Sequence, residues 1–392
     1  MTTEAILIFL GALVLFSYIF DLFAARARVP SVVLLLALGF GIRAAADRIG
    51  DLPFDPTPLL PTLGTIGLIM IVLDGALELE YSRQKRGLIL RALFTAIVGL
   101  LLTGAAFTFL LHHFTGFPWR TCMANAIPFS VISSAVAIPS ALGLAKVDRE
   151  FIIYESSLSD ILGVIAFNAV AAVHEPGVAI SIGGAALDLV AVIGIGLVSC
   201  LLLFFVMARS KHHVRSFLIL ALLLMIYGIA KSFHLSSLVI VLIFGLFIAN
   251  VELLPWQWLK RLADYPNAEE DRKTLQTLTM ESTFIVRTFF FVLFGFTIPL
   301  NSLIDPDIWS TAFFGMAAIY VIRAGVLGTM FGKVDRAVLV LAPRGLITVL
   351  LYLSLPERYM IPQIDHRLVV AVVLGMAVVM AIILTSKRKV VE

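Results

Sequence analysis

Apolar runs of about 20 residues recur from one end of this chain to the other, separated by short polar stretches. Each is long enough to cross about 30 Å of hydrocarbon. The pattern predicts thirteen spans, at 4–23, 29–46, 59–80, 87–112, 119–145, 149–174, 183–208, 214–231, 235–252, 277–300, 308–332, 334–355 and 366–386. The expected fold class is therefore an all-α polytopic membrane protein, with 1–392 as one transmembrane unit. Two spans are interrupted. The fifth reads IPFSVISSAVAIPSALG, with Pro128 and Pro139 among Ser130, Ser133, Ser134 and Ser140, and the twelfth reads LAPRGLITVLL, with Pro343 and Gly345. Proline removes a backbone N–H and breaks or kinks a helix. With the seventh span as a link, spans 1–6 and 8–13 form two six-helix repeats of opposite topology, in which the fifth and twelfth spans correspond. Matched interruptions in inverted repeats point to a transporter's binding site.

Composition agrees with a membrane interior. Of 392 residues 60% are hydrophobic and 14% charged, against about 25% charged in a soluble domain, and the mean hydropathy is +1.03. Loops on one side of the spans hold 20 of the 29 Lys and Arg, and those on the other side hold six. Cytoplasmic loops carry the excess of positive charge. The expected location is the cell (inner) membrane, surrounded by lipid, with the N-terminus outside and the C-terminus in the cytoplasm. The first segment reads as a true span rather than a cleaved signal. The net charge of +3 gives no nucleic-acid signal, because the basic residues cluster at helix ends. Cys122 and Cys200 lie in apolar runs and read as packing residues. The longest hydrophilic stretch, 254–276, carries no nucleotide-binding motif, so transport needs no nucleotide.

The informative residues are the charges inside the spans, which cost about 2.5–3.5 kcal/mol or more at membrane depth and mark function. Asp160 lies roughly 16 Å into the sixth span and Glu155 roughly 9 Å. Arg287, Arg323 and Arg344 lie near the middles of spans 10, 11 and 12. Glu155 and Asp160 are about 140° apart around a helix, so one partner cannot serve both. Ser156 shares the face of Asp160, and Ser159 adjoins it. A carboxylate with hydroxyls and broken-helix carbonyls is an oxygen-rich site suited to Na⁺ or another hard monovalent cation. It holds either a proton or a cation, and that competition alone gives exchange. The competing reading pairs Asp160 permanently with an arginine. Glu155 reads as a structural ion pair, with Arg323 the expected partner. Arg344 either offsets a negative helix end or lines the ion path. Arg287 has no assignable partner. Asp74 and Asp188 read as helix-end residues.

These residues also carry a resemblance. The segment Glu155-Ser-Ser-Leu-Ser-Asp160 resembles the Glu-Ser-x-x-Asn-Asp motif of the cation/proton antiporter superfamily, in the branch of bacterial NhaP proteins and animal sodium/proton exchangers. PRGLIT resembles that branch's Arg-Gly-Ala-Ile motif at Arg344, and VIRAGVLG carries the matching arginine, Arg323. RVPSVVLLLALGFGI, LDGALELE, YGIAKSFHLSSLVIVLIFGLFIAN and FFFVLFGFTIPL resemble further spans in order, so the similarity covers nearly the whole chain. The resemblance implies an ion-carrying Asp160, a Glu155–Arg323 bridge and a homodimer. It also implies a transport core of 87–174 and 308–386 and a dimerisation scaffold of 4–80 and 183–300. Two departures stand out. Ser133-Ser134-Ala135 replaces the family's Thr-Asp-Pro, and Ser159 replaces its Asn. With no second acidic residue the implied exchange is one cation for one proton, hence electroneutral. The paired serines resemble potassium-efflux relatives, which leaves K⁺ beside Na⁺.

The expected function is monovalent cation/proton antiport by alternating access, with no cofactor beyond the transported Na⁺ or K⁺ and H⁺. The alternative is an organic-anion transporter of related fold, since three arginines outnumber two carboxylates at depth. An enzyme is not expected: all seven histidines lie in or near loops, and no H-E-x-x-H pair is present.

Overall fold

Proline, glycine and acidic caps set the ends of the helices. The computed structural model describes residues 3–27, 30–49, 59–79, 83–141, 143–171, 215–232, 237–250, 268–299, 304–332 and 335–386, with isolated positions between 194 and 205. The seventh predicted span falls mostly outside these residues, as do Cys200 and Asp188. The helices are α1 (Thr3–Ala27), α2 (Ser31–Ile49), α3 (Leu59–Glu78), α4 (Arg86–Thr115), α5 (Trp119–Ser130), α6 (Ser134–Ser140), α7 (Lys146–Ala171), α8 (Arg215–Ser232), α9 (Ser237–Asn250), α10 (Ala268–Thr297), α11 (Pro306–Phe331), α12 (Arg336–Val340), α13 (Leu346–Leu353) and α14 (His366–Ser386). No strand occurs among the described residues. Every predicted span except the seventh has its helix here, and the fifth and twelfth are each two pieces, α5/α6 and α12/α13.

Local chemistry accounts for these boundaries. Pro306 opens α11, where its missing N–H costs nothing, and Asp305 caps the end by accepting from the Asp307 N–H. Gly332 closes α11 at φ 69°, and Gly116 follows α4 at φ 71°, positive values that glycine reaches readily because it has no Cβ. Asp335 caps α12 through the Ala337 N–H.

The chain divides into two compact units, Met1–Gly67 with Gly87–Gly163 and Phe284–Glu392, and Leu68–Arg86 with Val164–Thr283. In the second, α8 packs on α9 through Ala230, Val239 and Ile240. The Asn250 amide donates to the Leu79 carbonyl at 2.9 Å. The first unit contains both broken spans and both repeat partners of the candidate site. Within Trp119–Ser140, 83% of the apolar window is buried, against 22% for Pro306–Phe331. The interrupted backbone is thus enclosed by protein, where irregular backbone is tolerated inside a membrane, and α11 turns most of its surface outward.

In the same unit α2 and α10 cross backbone to backbone. A Cβ at Gly39 would lie 2.3 Å from the Val292 carbonyl oxygen, and one at Gly295 would lie 2.6 Å from that of Leu36. Small residues that admit such approach are the usual contact between membrane helices. Gly39→Ala should therefore cost about 1–3 kcal/mol and lower the thermal midpoint of the detergent-solubilised protein. Gly41→Ala, where an added Cβ meets nothing within 4 Å, should leave the midpoint unchanged or raise it. Equal midpoints for the two variants would refute the crossing.

Candidate functional site

Helix α7 carries both carboxylates, and the 140° between them sends each to a different break. Asp160, 4% exposed, points to the start of α6. Its Oδ2 accepts from the Ser134 N–H at 3.2 Å and from the Ser134 hydroxyl at 2.5 Å. The first N–H groups of a helix have no partner within it, and here the carboxylate supplies one. Ser159 reaches the same break from one position earlier, its Oγ accepting from the Ile132 N–H at 2.9 Å. Gly163, one turn on, lets α7 lie against Val131, whose Cγ2 would be 2.2 Å from any Cβ there. Asp160 is thus seated where span 5 loses its helical hydrogen bonds.

The other predicted hydroxyls behave differently. Ser156 shares the face of Asp160 but donates to the Ile152 carbonyl of its own helix at 2.8 Å. Ser133 Oγ is buried with no hydrogen-bond partner among the described residues. Its backbone N–H donates to the Pro343 carbonyl at 2.9 Å, so the extended stretches of spans 5 and 12 touch where they cross. A Cβ at Gly345 would lie 2.7 Å from Val136 Cγ2 and 2.9 Å from Ser133 Oγ, so a larger residue would hold the stretches apart.

Glu155, 1% exposed, faces α11. Arg323 Nη1 donates to Glu155 Oε1 at 2.7 Å and Nη2 donates to Oε2 at 2.9 Å. The same guanidinium covers the open end of α12: Nε donates to the Leu339 carbonyl at 2.8 Å, and Nη2 donates to the Val338 and Leu341 carbonyls. Leu339 needs this donor because Pro343, four residues on, has no N–H to give it. Arg344 does the reciprocal task from span 12. Its Nε donates to the Phe129 carbonyl in the last turn of α5 at 2.6 Å, and Nη1 donates to the Ala342 carbonyl at 2.8 Å. Each break is therefore closed by an arginine that belongs to the second repeat. Thr95, Gly99, Thr103, Ser130, Ser159 and Arg344 border a cavity of about 20 Å³, room for about one water.

Arg287, without a partner in the sequence reading, has two. Nη2 pairs with Asp21 Oδ2 of α1 at 3.0 Å, and Nη1 donates to the Ala135 carbonyl of α6 at 3.4 Å. The sequence does not single out Asp21, which lies two residues before the expected end of span 1 at 23. The helix runs to Ala27. A lone acid inside an apolar run, FDLF, was the available signal. Arg287 is thus paired with Asp21 and Arg323 with Glu155, while Arg344 has carbonyl partners.

Removing either partner of the Glu155–Arg323 pair leaves a buried charge, at a cost of about 3–5 kcal/mol. Arg323→Ala should lower the thermal midpoint and folded yield more than Glu155→Ala, since it also strips donors from three carbonyls. Thermal unfolding in detergent reads the order, and a stable Arg323→Ala protein would remove the guanidinium from its structural role.

The family model described as sodium/hydrogen exchanger, transmembrane, matches residues 11–387. The chain is similar to the structure of the sodium proton antiporter MjNhaP1 from Methanocaldococcus jannaschii at pH 8, with a TM-score of 0.70 and 19% identity over 98% of this chain and 100% of that one. An electron-microscopy map of MjNhaP1 from the same organism gives a structure with a TM-score of 0.67 and 18% identity, covering 99% of this chain and 96% of that one. The chain belongs to the sodium/hydrogen exchanger family, whose members are secondary transporters rather than enzymes.

Proposed function

We propose that this protein exchanges Na⁺ for H⁺ across the cell membrane, with Asp160 as the group that carries either ion. The observation that supports this most is the seat of Asp160: a buried carboxylate held at a helix break by a hydroxyl and a backbone N–H of Ser134. Ser133, Ser134 and Ser159 supply neighbouring oxygens, and a cation at Asp160 replaces the proton rather than joining it. Either load changes the charge of the site by the same amount, so a cycle that moves only loaded sites moves no net charge. Exchange is then electroneutral, one cation for one proton. The Glu155–Arg323 pair is structural in this reading.

The chain works as a homodimer in the inner membrane, with its N-terminus outside. Residues 87–174 and 308–386 form the moving core, and 4–80 with 183–300 form the scaffold. The core exposes Asp160 to each side in turn. The paired serines keep K⁺ in the test set beside Na⁺ and Li⁺. The anion-transporter alternative loses its ground, because Arg287, Arg323 and Arg344 all have carboxylate or carbonyl partners.

The test is a reconstitution in liposomes with an internal pH dye and an imposed proton gradient. Na⁺ should restore dye signal at the same rate with membrane voltage at zero or at a set value. Asp160→Asn should abolish recovery while the protein remains folded, and retained exchange in that variant would remove Asp160 as carrier. Competition for one carboxylate also fixes a sign: lowering pH by one unit should raise the apparent KM for Na⁺ by up to about tenfold. A voltage-dependent rate would mean unequal charge exchange and a second titrating group.

A further inference from the structure

We infer that Arg287 is a positioning residue for cation binding, acting through the backbone of α6 rather than on the ion. This inference rests on Asp160 being the cation site. Its observations concern a different group: the carbonyl of Ala135.

Helix α6 is seven residues long and contains Pro139. In an unbroken α-helix the Ala135 carbonyl would accept from the N–H of residue 139. Proline has none, and its ring crowds that same carbonyl. Ala135 therefore needs a donor from outside the helix, in a stretch where lipid offers none. Arg287 Nη1 occupies that place at 3.4 Å. Asp21 Oδ2 holds the guanidinium from α1 at 3.0 Å, and Phe284 lies beneath it, its ring centroid 5.7 Å from the guanidinium carbon.

The residue before Ala135 is Ser134, whose N–H and hydroxyl both bind Asp160. The carbonyl that Arg287 holds and the two donors that Asp160 uses lie on adjacent residues of one half-turn. Loss of the guanidinium leaves the Ala135 carbonyl unsatisfied, and the short helix shifts to relieve it. Ser134 then leaves Asp160. The cation loses a hydroxyl ligand, and the carboxylate loses both donors that hold it in place. Both changes weaken Na⁺ against H⁺.

The inference has a specific consequence: restoring an N–H at position 139 makes Arg287 dispensable. Apparent KM for Na⁺ and maximal rate are measured in liposomes at one pH for wild type, Arg287→Met, Pro139→Ala and the double variant. Arg287→Met should raise KM about tenfold, the worth of a charge-assisted hydrogen bond, with maximal rate within about twofold. Pro139→Ala alone should stay near wild type, and the double variant should return to its KM. An unchanged KM in Arg287→Met overturns the inference, as does a double variant as impaired as the single one. If Arg287→Met does not fold, the double variant is compared with Pro139→Ala: a folded protein of equal KM supports the inference, and a misfolded or impaired one overturns it. Asp160→Asn in the same series separates the two ideas, since its continued exchange would defeat the carrier reading whatever Arg287 does.

Discussion

Inside a bilayer, a backbone carbonyl that loses its helical donor has no water to turn to. Among the described residues two spans are broken, and the breaks create such carbonyls in specific places: at the end of α5, at the end of α12, and four residues before Pro139 and Pro343. The guanidiniums of Arg287, Arg323 and Arg344 reach Ala135, Leu339 and Phe129 respectively. Arginine suits the task because its donors fan out in a fixed plane and remain charged when buried. One guanidinium can thus serve a carboxylate and several carbonyls at once, as Arg323 does with Glu155 and α12. The arginines hold open a gap in the secondary structure, and the gap is what seats Asp160.

That arrangement sends two carboxylates of one helix to different partners. Five residues along α7 rotate Asp160 away from the direction of Glu155. Glu155 receives a bidentate guanidinium and is fully committed. Asp160 accepts instead from the hydroxyl and the backbone N–H of Ser134, neutral donors on a helix of the fifth span. Glycine at 163 and 345 is what lets the backbones come this close, since at either position a side chain would fill the space the neighbouring segment occupies.

The breaks, the spans and the buried charges were legible in the sequence because each has a one-dimensional signature: a 20-residue apolar run, a proline within it, an acid or arginine at its middle. The partnership of Arg287 was not. Asp21 stands 266 residues away near the end of an apolar run, and helix periodicity carries no information about which distant helix packs there. Ser156 illustrates a finer limit. Spacing places it correctly on the face of Asp160, but a helical serine readily turns its hydroxyl to the carbonyl four residues back, and spacing cannot specify that rotation. Arg344 was legible as an arginine at a break. Its partner is the end of the opposite broken span, a contact set only by how the two repeats cross.

That crossing has a consequence for synthesis. The donor that closes α5 lies 215 residues after the carbonyl it serves. At about 5–20 residues per second, the ribosome needs roughly 10–40 s to produce Arg344 after Phe129 has emerged. For that interval the first repeat is inserted, or waits for insertion, without the side chain that completes its interrupted span. The nascent chain must keep span 5 continuous, hydrated or sheltered until its counterpart arrives. The closure of the fifth span is therefore among the last contacts of this protein to form, and a chain truncated before span 12 carries the Phe129 carbonyl without the guanidinium that serves it.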